Sequence, residues 1–199
     1  MVSEVTYMFQ RTYVLRVALL IVFSMVLGCS KSVRYGDPKG IETVSIEFGS
    51  TDLQKIAEEM TRSMLVSQLV VTGNRPLMTV QDVKNLTSEY IDTRAITDSI
   101  RTELARSGVV RFVVDEEAMA QQVSELERQQ DGEYYNQEVT AERGKMLGAA
   151  YRLEGSIRSI VKQNSDVKDV YYKVNLQVWE IQTGILEWSD ETDIRKIRD

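Results

Sequence analysis

From Ile41 to the C-terminus the chain switches repeatedly between a two-residue and a 3.6-residue hydrophobic period. Thr43–Phe48 (TVSIEF) alternates apolar and polar residues and predicts a first strand. Thr51-Asp52-Leu53-Gln54 has the form of a capping box, and Leu53, Ile56, Ala57, Met60 and Met64 follow it on one helical face. Arg75-Pro76 opens an apolar strand, Leu77–Leu86. Asp92 caps a second predicted helix carrying Ile96, Ile100 and Leu104, and Gly108 suits its C′ position. Val109–Val114 is short and β-branched, as a buried strand would be.

Asp115 then caps a third predicted helix with the stripe Met119, Val123 and Leu126. Asp131–Val139 reads as a loop with two adjacent tyrosines. Thr140–Leu147 restarts a short helix, in which the spacing of Gly144 and Gly148 suits close packing against a strand. Three strands complete the chain: Tyr151–Gln163, Val170–Glu180 and Ile185–Ile194, with turns around Asn164–Asp169 and at Gln182-Thr183-Gly184. This order predicts an α+β fold, an α/β sandwich with one mixed sheet and antiparallel strands at its C-terminal end.

The N-terminus follows a different pattern. Arg11 and Arg16 precede an apolar run, Val17–Leu27, that ends at Gly28-Cys29-Ser30. Eleven residues span about 16 Å as a helix, roughly half a bilayer core, so the run reads as a signal-peptide core and not as a membrane span. Val26-Leu27-Gly28-Cys29 resembles a bacterial lipobox, with Leu27 and Val26 departing from the more usual residues. The expected organisation is a lipoprotein signal at 1–28, a lipidated Cys29 with a short polar tether at 29–40, and a globular domain at 41–199. Met8 is an equally good start. Extended, the tether Ser30–Gly40 reaches at most about 38 Å, and a flexible chain of that length averages about 18 Å.

Composition narrows the chemistry. The chain of 199 residues has no histidine and one cysteine. Triads that need histidine, an internal disulfide and multi-cysteine metal sites are therefore excluded. A formal charge of −6 argues against nucleic acid as the main partner. Ser159-Ile160-Val161-Lys162 has the spacing of a Ser/Lys nucleophile pair, but in a strand positions i and i+3 point to opposite faces. The adjacent carboxylates Glu58-Glu59, Glu116-Glu117 and Asp190-Glu191 read as solvated surface, because neighbours on a helix diverge by about 100°. No cofactor, metal site or enzymatic activity is expected.

The stretch Lys84–Thr93 (KNLTSEYIDT), with Asp52–Leu65 and Gly144–Ile157 in the same order, closely resembles the LpoB family. That family comprises outer-membrane lipoproteins that activate class A penicillin-binding proteins. The resemblance implies a fold similar to the N-terminal domain of TolB, a central sheet flanked by helices. It also implies a non-enzymatic role: docking on an accessory domain of a bifunctional peptidoglycan synthase and stimulating it from the periplasmic face of the outer membrane. Two departures stand out, a tether much shorter than the family's and Leu86 where an Arg is expected.

Interface energetics favour aromatic residues and Arg on loops. Tyr90, Arg94, Tyr134 and Tyr135 are therefore the candidate partner-binding residues of an expected monomer, although the tyrosines could equally cap the edge of the core. A structural lipoprotein of an outer-membrane secretion or transport assembly is the alternative function, and a cryptic enzyme a distant third.

Overall fold

The computed structural model describes residues 33–199 except 43 and 73. The signal segment and Cys29 lie outside the described residues. The chain separates into two units, Met1–Asp37 and Pro38–Asp199. In the first, residues 33–37 are exposed and have no regular structure.

The second unit is built on one mixed sheet. Its elements are α1 (Ser50–Leu65), α2 (Gln68–Val71), β1 (Leu77–Val80), β2 (Lys84–Leu86), α3 (Thr93–Ser107), β3 (Arg111–Phe112), α4 (Glu116–Gln130), β4 (Tyr151–Gln163), β5 (Lys168–Glu180) and β6 (Leu186–Arg198). The strand order is β3-β1-β4-β5-β6, with β2 also paired to β4. Strand β1 pairs in parallel with both β3 and β4, β2 pairs in parallel with β4, and β4, β5 and β6 form a long antiparallel meander.

Strand β5 shows why the sheet is one-sided. Val170, Tyr172, Val174, Leu176 and Val178 alternate along it and are all buried. They share one core with Leu153 and Ile157 of β4, with Ile56, Met60 and Met64 of α1, and with Ile96, Ile100 and Leu104 of α3. The opposite face of the meander carries ion pairs instead, Lys173–Glu191 at 2.7 Å and Arg195–Asp169 at 2.6 Å. Gly155 lets β4 and β5 approach at mid-strand: a Cβ there would lie 2.3 Å from the Asn175 carbonyl oxygen.

Several elements depart from the sequence expectation, each for a physical reason. The described part of Thr43–Phe48 is not a strand, because it finds no ladder partner. Ile46 enters the core, Phe48 meets the Tyr172 ring edge-on at 5.8 Å, and Lys196 Nζ donates to the Glu47 carbonyl at 2.6 Å. The first helix starts two residues earlier than the box predicts. Gly49 is its N-cap and donates to Asp52 Oδ2 at 2.8 Å, while Thr51 Oγ1 accepts from Glu42 N.

The strand expected over Leu77–Leu86 is split. Val80 pairs with Leu153 and Lys84 with Ser156, so β1–β2 holds one more residue than β4 over the same span. The extra residue acts as a bulge and lets Val83 return to the core. Val109–Val114 contributes only the two-residue edge strand β3, in which Arg111 is exposed. Thr140–Leu147 is not helical: Gly144 takes a left-handed φ of 74°, and neither Gly144 nor Gly148 touches a strand. The stripe Met119, Val123 and Leu126 does lie on a helix capped by Asp115, yet no residue of α4 is buried.

Candidate partner-binding surface

The loop between β2 and α3 is built by its own polar side chains. Asn85 Oδ1 accepts from Thr87 N at 3.0 Å, and Asn85 Nδ2 donates to the Glu89 carbonyl at 2.8 Å. Thr87 Oγ1 accepts from Glu89 N at 3.1 Å, and its hydroxyl lies 2.8 Å from Asn85 Oδ1. Such local side-chain bonds replace a ladder and give the loop a fixed shape.

Glu89 fastens that loop to the core. Its Oε1 accepts from the Tyr172 hydroxyl at 2.6 Å, and its Oε2 accepts from Phe48 N at 3.1 Å. Burial, reinforced by the Glu89 carboxylate, raises the Tyr172 phenol well above the ordinary tyrosine range. The phenol therefore stays a donor to Glu89 at every physiological pH.

Beside Glu89 the backbone turns Tyr90 outward and Ile91 inward. Tyr90 is 96% exposed and Ile91 is 6% exposed. Leu86, at the end of β2, is 50% exposed. Asp92 caps α3 by accepting from Arg94 N at 3.1 Å and Ala95 N at 3.3 Å. Arg94, in the first turn, pairs through its guanidinium with Glu117 of α4. Nearby, Asp115 caps α4 by accepting from Ala118 N at 2.9 Å, and it binds Arg101 at 3.1 Å. The Ala118 amide, helped by the Arg101 charge, holds the Asp115 carboxyl below the usual carboxylate range.

Tyr134 and Tyr135 lie beyond the other end of α4. Tyr134 is 79% exposed, whereas Tyr135 is half-buried with the Arg128 guanidinium 5.1 Å over its ring. A 15-residue helix is about 22 Å long, so the four candidate residues form two patches, Tyr90 with Arg94 and Tyr134 with Tyr135. Neither exposed tyrosine caps the core edge; Tyr135 rests on Arg128 instead. Glu89 had no place among the candidates, because its partner Tyr172 lies 83 positions away. The Thr-Ser-Glu run in the sequence was the only local sign of it.

The remaining motifs carry no assembled chemistry. Ser159 shares the face of Leu153 and Ile157 on β4, and Lys162 lies on the opposite face. Glu58 pairs with Arg62, Glu59 accepts from the Thr192 hydroxyl, and Glu191 binds Lys173. Among the described residues no cluster of acidic or cysteine side chains could hold a metal ion, and no helix is long and apolar enough to cross a membrane.

The family model described as peptidoglycan-synthase activator LpoB matches residues 52–194. The LpoB C-terminal domains from Salmonella enterica and from Escherichia coli are each 21% identical, with a TM-score of 0.45, covering 72% of this chain and 98% of theirs. The lipoprotein GNA1162 from Neisseria meningitidis is 14% identical with a TM-score of 0.40, covering 61% of this chain and 83% of its own. No curated protein matches. The match over residues 52–194 spans β1 to β5 in full and nearly all of α1, and it includes the Asn85–Asp92 loop; the chain belongs to the LpoB family, whose members are activators of peptidoglycan synthases and not enzymes.

Proposed function

We propose that this chain is a lipoprotein held in the outer membrane by lipid on Cys29, with its domain in the periplasm, and that it docks as a monomer on a class A penicillin-binding protein and stimulates peptidoglycan synthesis. The observation that carries the reading is the family match over residues 52–194. The Asn85–Asp92 loop supports it: a fixed scaffold pinned at Glu89 presents Tyr90 and Leu86 to solvent with little ordering cost on binding. Tyr90 with Arg94 is the favoured contact patch, and Tyr134 with Tyr135 a second one.

One observation favours the alternative reading of a structural lipoprotein in an outer-membrane assembly. The domain is already hydrogen-bonded at Pro38, whose carbonyl accepts from Gln54 Nε2 at 2.5 Å. Between lipid and domain only Ser30–Asp37 remains, at most about 28 Å when fully extended. Co-isolation of the tagged chain from detergent-solubilised envelopes separates the two. Recovery of a class A penicillin-binding protein supports activation, and recovery of a secretion channel in its place contradicts it. Cys29→Ser should leave an unprocessed precursor; normal processing and sorting of that variant would contradict the anchor.

A further inference from the structure

Among the described residues, α4 is the one long helix that contributes nothing to the core. Helices α1 and α3 each bury several side chains, whereas α4 buries none over 15 residues. Polar groups hold its N-terminal end to α3: Arg94 pairs with Glu117, and Arg101 binds Asp115. Its apolar residues nevertheless keep helical order. Met119 and Val123 are 39% and 37% exposed, and Leu126 follows on the same face. The following segment reaches back only to the C-terminal end of the helix, where Gln130 Nε2 donates to the Ala141 carbonyl and Leu126 is half-buried; Met119 and Val123 stay open on a helix held by caps and ion pairs, the form of a helix that seats in a groove.

Charge selects the occupant. Glu116 and Glu127 border the stripe on one flank, within about 80° of Met119 on the helical wheel. Residues 116–143 hold eight acidic and two basic side chains, so this excursion between β3 and β4 carries charge equal to the whole chain's net −6. An anionic lipid surface would repel that flank, as would a second copy of so acidic a chain. We propose that the Met119–Val123–Leu126 stripe docks into an apolar groove with a basic rim on the penicillin-binding protein. This rests on the activator reading and adds the helix and the groove chemistry to it. The loop carrying Tyr90 leads into α3, whose first turn is tied to α4 by Arg94–Glu117; Glu117 lies about 160° from Met119 on the helical wheel, so this tie leaves the stripe facing away from α3.

The test uses the full chain purified in detergent and a purified class A penicillin-binding protein from the same cell, with affinity measured at low and high salt. Met119→Gln/Val123→Gln/Leu126→Gln keeps good helix formers while removing the apolar stripe. It should melt at the wild-type temperature and bind about tenfold more weakly or worse. Glu116→Gln/Glu127→Gln should weaken binding and flatten its salt dependence, and it decides the matter if the triple variant unfolds. Wild-type binding with unchanged affinity in the folded variants overturns the docking helix and leaves the activator reading standing. Failure of the wild type to bind any class A penicillin-binding protein overturns both. A wild-type dimer that the triple variant abolishes would name a second copy as occupant and overturn the proposal.

Discussion

The Tyr172 hydroxyl donates to Glu89 Oε1 at 2.6 Å, joining the middle of β5 to the loop that presents Tyr90. Tyr172→Phe retains the ring packed on Phe48 but leaves the half-buried carboxylate short of a donor. Such a loss costs about 1–3 kcal/mol. Urea denaturation should show that loss, with faster hydrogen exchange at Glu89 N and Phe48 N.

The same bond sets an alkaline limit. The folded Tyr172 phenol is raised above its ordinary value of 10.0, so it contributes stability that is full below that pH. As pH rises past it, the unfolded chain releases the proton that the folded chain retains, and stability falls. A stability–pH profile should therefore decline above about pH 10, and less steeply in Tyr172→Phe. Asp115 acts at the other end. Its carboxyl is lowered, so its contribution is present above the unfolded value and disappears as pH falls through the folded one. Asp115→Asn should flatten part of the acid limb below about pH 4.

Gly155 should tolerate no side chain. The Cβ of Gly155→Ala would meet the Asn175 carbonyl at 2.3 Å and Leu176 Cδ2 at 2.5 Å. Overpacking of this kind costs about 1–3 kcal/mol, and the backbone contact places it at the upper end. Calorimetry should show the melting temperature falling while the circular dichroism of the survivor stays native.

The helix starts divide into two grades. Asp92→Ala removes the acceptor for two amides and should cost about 1 kcal/mol. Asp52→Ala strands the Lys196 ammonium, which lies 2.5 Å from Asp52 Oδ2 in a largely buried pair. Breaking such a pair costs about 3 kcal/mol. Thr51→Ala should be milder than Asp52→Ala, since Thr51 serves Glu42 N and not the cap. Chemical denaturation of the three variants would rank them.

Much of the fold is legible because its signal is local. The alternation in β5 and the helical spacing of Ile56, Met60 and Met64, and of Ile96, Ile100 and Leu104, each fix a buried face without knowledge of the partner. Asp92 and Asp115 announce their helices by the same local chemistry. What the chain does not announce depends on distant partners. Thr43–Phe48 has a strand's pattern but no neighbouring edge, and α4 has a core helix's stripe but no core above it. The bulge before Lys84 appears only once Leu153 and Ser156 fix the register. At the candidate surface the exposure of Tyr90 agrees with its reading as a loop residue, while the Glu89–Tyr172 bond that holds it there spans 83 positions, and the Thr-Ser-Glu run does not reveal its partner.

The short lead to the domain makes reach measurable. Adding about 40 flexible residues after Asp37, ahead of the first anchored carbonyl at Pro38, raises the r.m.s. reach from about 16 Å to roughly 38 Å. If the synthase lies across the periplasm, crosslinking to it in cells should rise. Unchanged crosslinking, with loss of activation on deleting the domain, would show that reach is not limiting.

The account's central claim is activation of a peptidoglycan synthase. Its most direct test is the rate of glycan polymerisation by a purified class A penicillin-binding protein from the same cell, with and without the purified chain. A rise in rate that saturates with added chain, and that weakens in Tyr90→Ala at unchanged melting temperature, is the predicted result. Polymerisation and crosslinking that stay at the basal rate at saturating chain, for every class A synthase of the cell, would contradict it.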